Sequence, residues 1–384
     1  MEHPYFQRLR RIKQLGLTDM VYPGALHTRF HHALGALHLM DMAIENLKSK
    51  GVEISDAEAE AALIAILLHD IGHGPFSHTL ENVLSEDIHH EDITLLFMKK
   101  LNAELNGQLS LALDIFQNKH PKKFLYQLVS SQLDVDRLDY LNRDSFYTGV
   151  HEGVIGSDRI IMMMNVVNDE LVMEEKGIYS IEKFLLARRF MYWQVYQHKT
   201  VIAAEEMLIQ ILRRAKILAL QNHQLFATPA LSFFLNNKIN KDSFLTDSKV
   251  LDNFALLDDN DVMASIKSWC FHDDIILSLL CKKLINRDLL KIEIHDTPIP
   301  PARMEGLLKQ TAQYYGISDL ESQYFVFSNE VENSAYSAES IKINILMKDG
   351  SIRDIGSASD QYDISSLSKK VIKYFICYPK EIRQ

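Results

Sequence analysis

The chain has 384 residues, of which 47% are hydrophobic, and its 51 acidic against 41 basic side chains give a formal net charge of −10. This composition is typical of a soluble globular protein with one large core or two domains, and the acidic balance argues against a surface that coats nucleic acid. Three widely spaced cysteines form no disulfide framework or zinc knuckle. Because the sequence shows no signal peptide and no apolar run of roughly 20 residues, we expect a cytoplasmic protein that does not span a membrane.

The spacing of apolar residues predicts helices in the first part of the chain. A basic helix is expected from Tyr5 to Gly16, a second from about His27 to Lys48, and a third from Asp56 to Asp70. On the second helix, His32 lies on a stripe of apolar residues, so we expect its side chain to point inward. A lone inward histidine is most often an ordinary core residue, but this one has candidate partners further along the chain.

The stretch from Ala65 to His78 is the most distinctive in the sequence. An apolar helix ends in the adjacent pair His69 and Asp70, and glycines, a proline and further histidines, including His73, follow at once. Imidazole and carboxylate ligands suit a divalent transition metal such as Mn, Fe or Zn. The end of a helix also favours a cation, because its last carbonyl groups are unpaired and form the negative end of the dipole. The sequence therefore predicts part of a metal site here.

A further helix is predicted from Lys122 to about Asp144. Asp136, Tyr140 and Asp144 follow one another at four-residue intervals and share one face of this helix. Acidic clusters on helices are usually solvated surfaces. The histidines elsewhere in the chain give Asp136 candidate partners, so we interpret it as an inward metal ligand.

The residues from Leu171 to Ser180 predict a short hairpin that turns at Lys176–Gly177, and a long helix is expected from Ile181 to Leu220. One stripe of this helix carries positive charges and aromatic rings: Arg188, Tyr192, Tyr196 and Lys199. An isolated stripe of this kind is most often ordinary packing. Beside a metal site it would form a wall with cations for phosphate and flat rings for a sugar or base.

The remainder of the chain predicts further helices to about Asp288, a linker from Asp296 to Pro301, and then strands. The expected strands cover Gln323 to Glu330, Ser340 to Lys348 with a turn at Asp349–Gly350, and Lys373 to Tyr378. The fold class is therefore mainly α. We expect a catalytic core over residues 1–220, a helical extension over 221–296 and a small α+β region over 297–384.

The side chains expected to point inward combine into one candidate metal shell: His32, His69, Asp70 and Asp136. Such a shell leaves coordination positions open for water and substrate, and a metal with an open position lowers the pKa of bound water. Histidines suit proton transfer near neutral pH. Arginines such as Arg29, Arg137 and Arg188 can bind phosphate oxygens. Together these groups indicate hydrolysis of a phosphate ester or anhydride.

These residues resemble a known family. His32, His69–Asp70 and Asp136 match the H…HD…D signature of the HD-domain metal-dependent phosphohydrolases. Ordered blocks within the first 215 residues further resemble the dNTP triphosphohydrolase branch of that family. These blocks are Phe6–Gly16, His27–Gly35, His69–His78, Asp134–Asp144 and Tyr196–Lys199.

The resemblance implies an HD-domain helical core that hydrolyses a dNTP to the deoxynucleoside and inorganic triphosphate. It also implies one divalent metal ion per active site (Mn, Fe, Zn, Ni or Mg), held by the four-residue shell. The residues that match the family's acid–base relay and leaving-group contact are His73, Glu81, His90 and His78. The residues that match or neighbour its substrate contacts are Gln14, Arg29, Arg137, Tyr140, Asp144, Arg188, Tyr192, Tyr196 and Lys199.

Within that set, Gln14 and Asp144 match the pair that binds the sugar 3′-hydroxyl. Tyr140 and Tyr196 match the rings that leave no room for a 2′-hydroxyl. The resemblance also implies a homo-oligomer, a dimer or tetramer, and a candidate activating nucleotide. Two alternatives stay open: an HD phosphohydrolase acting on nucleoside monophosphates or another phosphoester, and a nucleotide-binding regulatory module without turnover. The sugar-contacting set argues against the first, and the complete metal and relay residues argue against the second.

Overall fold

The computed structural model describes residues 1–76, 81–333, 336, 341–360 and 370–382. The fold is mainly α, as the sequence predicts, and a smaller C-terminal region contributes strands to both sheets. No helix in these ranges is both long enough and apolar enough to cross a membrane.

The first half of the described chain is mostly helical. Its helices are α1 (Pro4–Gln7), α2 (Arg29–Ser49), α3 (Asp56–Leu68), α4 (Glu81–Leu84), α5 (His90–Glu104), α6 (Ser110–Phe116), α7 (Lys123–Val129), α8 (Val135–Thr148), α9 (Ser157–Met163) and α10 (Ile178–Met191). The helices of the second half begin with the longest one. They are α11 (Lys199–Leu220), α12 (Pro229–Asn236), α13 (Lys241–Thr246), α14 (Ser248–Leu256), α15 (Asp259–Trp269), α16 (Ile275–Ile285), α17 (Pro301–Tyr315), α18 (Asp319–Ser322) and α19 (Ile355–Ala358).

The strands form a four-stranded and a three-stranded sheet. They are β1 (Met164–Val167), β2 (Glu170–Glu174), β3 (Lys291–His295), β4 (Phe327–Asn333), β5 (Asn344–Leu346), β6 (Ile352–Asp354) and β7 (Val371–Tyr378). The first sheet has the order β1-β2-β5-β6, in which only the β2–β5 pair is parallel. The second has the antiparallel order β3-β7-β4.

The N-terminal half is built on α2, which packs against both α3 and α8. Its small inward residues Ala33, Ala36 and Ala43 are fully buried and let the neighbouring helices approach closely. The residues of α2, α3 and α8 belong to one continuous apolar core. Side chains at the ends and on the facing sides of these three helices can therefore meet.

The prediction of one helix from Tyr5 to Gly16 is wrong beyond its first turns. The α-helix ends at Gln7, and a 3₁₀ turn covers Arg8–Arg11. The chain then becomes extended, and the backbone N–H of Lys13 donates a 2.9 Å hydrogen bond to Asp259. Tertiary contacts to a distant helix thus override the local helical periodicity.

The single helix predicted from Lys122 to Asp144 is also wrong, because α7 and α8 are separated by a bend. The Asp134 carboxylate accepts from the backbone N–H of Ser131 at 2.7 Å and from that of Arg137 at 2.8 Å. This side chain caps α8 and so sets where the helix begins. Helix α3 likewise ends at Leu68, so the His69–Asp70 pair lies just past its last turn rather than within it.

The hairpin was predicted at the wrong place in the sequence. The true hairpin joins β1 to β2 through Asn168 and Asp169, whose φ angles of 53° and 61° match a tight two-residue turn. Lys176–Gly177 instead lies in a 3₁₀ turn before α10. The Asn-Asp dipeptide was the local signal, since both residues tolerate positive φ.

The long helix predicted from Ile181 to Leu220 is interrupted. Helix α10 ends at Met191, a π-helical turn covers Tyr192–Tyr196, and α11 starts at Lys199. The backbone N–H of Gln197 reaches back five residues to the carbonyl of Tyr192 at 2.7 Å. Such turns redirect side chains and are frequent at functional sites.

The predicted C-terminal strands overlap β4, β5 and β7, and the turn at Gly350 has the expected positive φ of 82°. The start of the strand predicted from Ser340 lies outside the described residues. Strands β3 and β6 were not predicted. Because β3 pairs with β7, and β5 pairs with β2, both sheets combine segments that are far apart in sequence. The boundaries at residues 220 and 296 remain predictions.

The turn that follows α3 is fixed by a buried arginine. Arg8 is 1% exposed, and its guanidinium donates to the carbonyls of Ile71 and His73, both at 2.7 Å. The same group lies near the rings of Phe97 and Phe254. The N-terminal segment that contains Arg8 therefore fixes the backbone of the turn that follows α3.

We expect Arg8→Ala to destabilise the fold by about 3 kcal/mol, because it leaves buried carbonyls without their charged donor. Urea unfolding of both proteins measures this difference. Arg10→Ala is the matched control, since Arg10 is exposed, donates to the Gln7 side chain and lies over the Phe30 ring, and its loss should cost under about 1 kcal/mol. Equal effects of the two variants would contradict the anchoring role of Arg8.

Candidate metal centre and active-site cavity

Residues from three helices converge on one point between α2, the end of α3 and the start of α8. One ligand atom from each of His32, His69 and Asp136 lies within 4.8 Å of the others. His32 Nε2 is 3.3 Å from His69 Nε2 and 2.9 Å from Asp136 Oδ1, and His69 Nε2 is 3.4 Å from Asp136 Oδ1. Such a group of nitrogen and oxygen donors matches the needs of a divalent transition metal.

The tautomers of both histidines are set by their surroundings. His32 Nδ1 donates to Asp139 at 2.7 Å, and His69 Nδ1 donates to the carbonyl of Ile66 at 2.6 Å. With Nδ1 occupied, the lone pair of each neutral ring lies on Nε2, the atom that faces the cluster. Metal-binding histidines commonly use this arrangement.

Asp70 borders the same cluster. Its carboxylate lies 3.3 Å from His69 Nε2 and 3.8 Å from His32 Nε2. It also accepts a hydrogen bond from the Arg29 guanidinium and lies 3.3 Å from His73 Nε2. Asp70 is thus positioned beside the three-residue group while it pairs with a buried arginine.

The electrostatics of the cluster favour a positive charge. Burial alone would lower the pKa of His32, but hydrogen bonds to Asp136 and Asp139 raise it well above its usual value. The pKa of His69 is raised, against the effect of burial, by Asp70 and Asp136. Despite burial, the neighbouring histidines lower the pKa of Asp136, and His69 with Arg29 lowers that of Asp70. The donor set therefore fits a divalent cation.

Asp139 supports this centre, and the sequence analysis did not assign it a role. It binds His32 with one oxygen and accepts a bidentate pair from Arg143, with both distances 2.8 Å. Gly35 lies directly beneath the pair. An added Cβ at that position would lie 1.9 Å from Asp139 Oδ1 and 2.0 Å from Arg143 Nη2. Only a glycine at position 35 of α2 leaves room for the Asp139–Arg143 pair.

Of the predicted relay residues, two histidines lie beside the metal centre. His73 is buried, and its ring stacks on that of His90 with centroids 3.9 Å apart and an interplanar angle of 19°. Burial and the nearby Arg29 lower the pKa of His73 well below its usual value. His78 and the side chain of Glu81 lie outside the described residues.

A cavity of about 570 Å³ opens beside the metal centre. Most of the predicted substrate-contacting residues line it, namely Gln14, Arg29, Arg137, Tyr140, Asp144, Tyr192 and Tyr196. Asp70, His73, His90 and Asp136 contribute to the same wall. Arg188 and Lys199 are not among the lining residues described. Arg188 lies 5.8 Å from the Tyr192 ring centroid, and Lys199 is exposed beyond the helix break.

Asp144 anchors one wall of the cavity. Its carboxylate accepts from His27 Nε2 at 2.7 Å and from the Tyr196 hydroxyl at 2.8 Å. The ring of Tyr196 lies edge-to-face against those of Tyr140 and Tyr192, with centroids 6.2 Å and 5.2 Å away. The sequence assigned no role to His27, although the second predicted helix was expected to begin at about this residue.

The far wall of the cavity comes from segments that carried no motif. Helix α11 contributes Glu205 and Glu206, and the three-stranded sheet contributes Glu330 of β4 and Phe375 of β7. No local sequence signal marks these residues, because they meet only through the pairing of β4 with β7 and their packing near α11. The C-terminal region thus forms part of the cavity.

Comparison with known proteins gives two family matches. A profile described as HD domain matches residues 29–144, and one described as HD associated region matches residues 155–227. The crystal structure of a phosphohydrolase from Bacteroides thetaiotaomicron is 56% identical, with a TM-score of 0.95 over 98% of this chain and 94% of that one. The uncharacterised protein YwfO of Bacillus subtilis is 33% identical over 98% of this chain and 87% of its own length.

A further relative is named for its activity. The deoxynucleoside triphosphate triphosphohydrolase SAMHD1 homolog of Dictyostelium discoideum is 34% identical over 53% of this chain. The match covers 43% of that longer protein. The similarity is thus confined to part of each chain.

We expect Asp136→Ala to weaken metal binding by at least about tenfold, because it removes one of three converging donors. The weaker binding is checked by incubating the protein with Mn²⁺, desalting it and measuring its metal content by inductively coupled plasma mass spectrometry. Asp41→Ala is the control, since Asp41 is exposed on α2 outside the cluster. Unchanged metal content in Asp136→Ala would show that the ion binds elsewhere.

Gly35→Ala should displace the Asp139–Arg143 pair and cost about 2 kcal/mol, as overpacking of a tight site does. It should also reduce metal retention, because His32 loses its oriented partner. Gly306→Ala, in the middle of α17, meets no atom within 4 Å and should be neutral or stabilising by up to about 1 kcal/mol. Thermal unfolding and metal content measured on both variants distinguish the sites. The same unfolding temperature and metal content in the two variants would contradict the predicted crowding at Gly35.

Proposed function

Because this chain belongs to the HD-domain phosphohydrolase family, we propose that it hydrolyses deoxynucleoside triphosphates to the deoxynucleoside and inorganic triphosphate. The observation that carries the proposal is the joint placement of the metal centre, Arg29, Arg137 and the Asp144–Tyr196 wall around one cavity. The named activity of the Dictyostelium relative supports the same substrate class.

The metal centre fits the reaction. His32, His69 and Asp136 would hold the ion, with Asp70 beside them. A divalent ion bound there supplies Lewis acidity toward a phosphoryl oxygen and lowers the pKa of water. The imidazole and carboxylate donors are compatible with Mn, Fe, Zn, Ni or Mg, and the metal's identity is left to measurement.

Arg29 and Arg137 supply positive charge to the cavity beside the cluster. Arg29 is buried and bonds to Asp70, and Arg137 donates to the carbonyl of Ser131 at 2.7 Å, which fixes its direction. Guanidinium groups held in this way can bind phosphate oxygens and offset the charge that develops during phosphoryl transfer. They would orient the triphosphate against the metal centre.

His73 and His90 would carry out the proton transfer that accompanies hydrolysis. The lowered pKa of His73 favours its neutral form, which can accept a proton, and its 3.3 Å contact with Asp70 connects it to the metal centre. The stacked His90 extends the pair toward the cavity. A neutral imidazole beside the metal centre is suited to act as a general base.

The aromatic wall would select the sugar. Asp144 is held by His27 and Tyr196, and its remaining lone pairs are available to a 3′-hydroxyl. The crossed rings of Tyr140 and Tyr196 would pack against a deoxyribose and crowd a 2′-hydroxyl. This wall favours a deoxynucleotide over a compound that lacks a sugar.

The reaction is tested by incubating the protein with Mn²⁺ and each of the four dNTPs, singly and mixed, and resolving the products by anion exchange. We expect deoxynucleoside and triphosphate, with activity lost on chelation by EDTA. Tyr140→Ala should narrow the preference for dATP over ATP by about tenfold, because it opens space for the 2′-hydroxyl.

Tyr179→Ala is the control, as Tyr179 is an exposed aromatic residue outside the cavity. Cleavage of a nucleoside monophosphate with dNTPs left intact would instead support a phosphomonoesterase. Metal binding without any turnover would support a regulatory module. The activating nucleotide and the dimer or tetramer remain predictions, and the same assay with and without GTP tests activation.

A further inference from the structure

A second cavity, of about 990 Å³, lies along α11 beyond the catalytic one. It is bounded by α11 from Gln210 onward, by Val83 of α4 and by the segment from α17 to the start of β4. Its volume is in the range of small-molecule sites. The two cavities are neighbours along α11, because Glu205 and Glu206 line the first and Gln210 and Arg213 line the second.

One side of this cavity is basic. The charged residues that line it are Arg213, Arg214, Lys216, Lys238, Glu86 and Glu321. Arg214 is already paired, since its guanidinium binds the Asp274 carboxylate in bidentate fashion and lies 3.9 Å from Glu321. Arg213, Lys216 and Lys238 therefore leave a positive excess over Glu86.

Lys216 is the most enclosed of these cations. Its ammonium donates to the carbonyls of Val83 at 3.2 Å and Leu84 at 3.3 Å. Burial lowers its pKa, the nearby Glu86 partly opposes this, and the nearby Lys238 adds to the lowering. Holding two positive charges close together in a partly buried place is unfavourable. An anion placed between Lys216 and Lys238 would reduce this repulsion, because it stabilises both charges.

The opposite side is apolar and comes from the C-terminal region. It consists of Met304, Leu308, Leu320, Tyr324, Val326 and Phe327. Tyr324 offers an aromatic face that already lies near the Arg214 guanidinium. Gln210, Gln323 and Ser328 add neutral hydrogen-bonding groups at the edges. A ligand that satisfies both sides has an anionic group and a flat apolar body with polar edges.

We propose that this cavity binds an organic phosphate, with the phosphate between Arg213, Lys216 and Lys238 and the flat body against Tyr324. The site is separate from the metal centre and does not depend on the proposed hydrolytic activity. Phosphates bind most strongly where several cations converge, and aromatic bodies stack on tyrosine rings. Both kinds of group line this one cavity.

Calorimetric titration of the full chain with ADP, adenosine and inorganic pyrophosphate tests this. ADP should bind at least tenfold more tightly than adenosine or pyrophosphate, because only ADP has both parts. The double variant R213E/K238E should lose this event or weaken it at least tenfold. The matched double variant K267E/K309E changes the charge equally at exposed lysines outside the cavity and should retain it.

Leu308→Trp gives a second test without a change of charge. The larger ring should fill the apolar side and weaken ADP binding, while circular dichroism confirms the fold. An ADP isotherm that is the same in R213E/K238E, Leu308→Trp and the control overturns the proposal. So does the absence of ADP binding in the unmodified protein, or adenosine binding as tight as that of ADP.

Discussion

The fixed conformation of the turn after α3 is the constraint on which the site depends. Arg8 binds the carbonyls of Ile71 and His73, and Thr94 of α5 bridges the carbonyl of His69 and the N–H of Gly72. The approach of α5 requires Gly72, since an added Cβ would lie 2.1 Å from a backbone carbonyl of α5. Because these bonds fix the backbone on both sides of Asp70, they fix the directions in which His69, Asp70 and His73 point.

This constraint links distant parts of the chain to the chemistry. Asp259, at the start of α15, accepts from the backbone N–H of Lys13 and from that of Phe76 at the end of the turn. Burial raises the pKa of Asp259 to about 6, so the anion is retained there at a cost that its two backbone donors offset in part. Asp259 of α15 therefore ties the N-terminal segment to the turn beside the metal centre.

Much of the candidate site could be predicted from residue chemistry and helical periodicity. The inward stripe of α2 identified His32, and the adjacent His69 and Asp70 at a helix end indicated a cation site. Asp139 was not predicted as a site residue, because an acidic residue on a helix is usually solvent-exposed and the sequence does not show its partners. Glu330 and Phe375 could not be found, since only the pairing of β4 with β7 brings them to the cavity.

The most direct test of the metal centre is anomalous diffraction at the Mn absorption edge from crystals grown with Mn²⁺. The account predicts one strong peak per chain, about 2.0–2.3 Å from Nε2 of His32, Nε2 of His69 and an oxygen of Asp136. Contact with Asp70 would complete a set of four protein ligands. A peak at a different group of residues, or none at saturating Mn²⁺, would contradict the account.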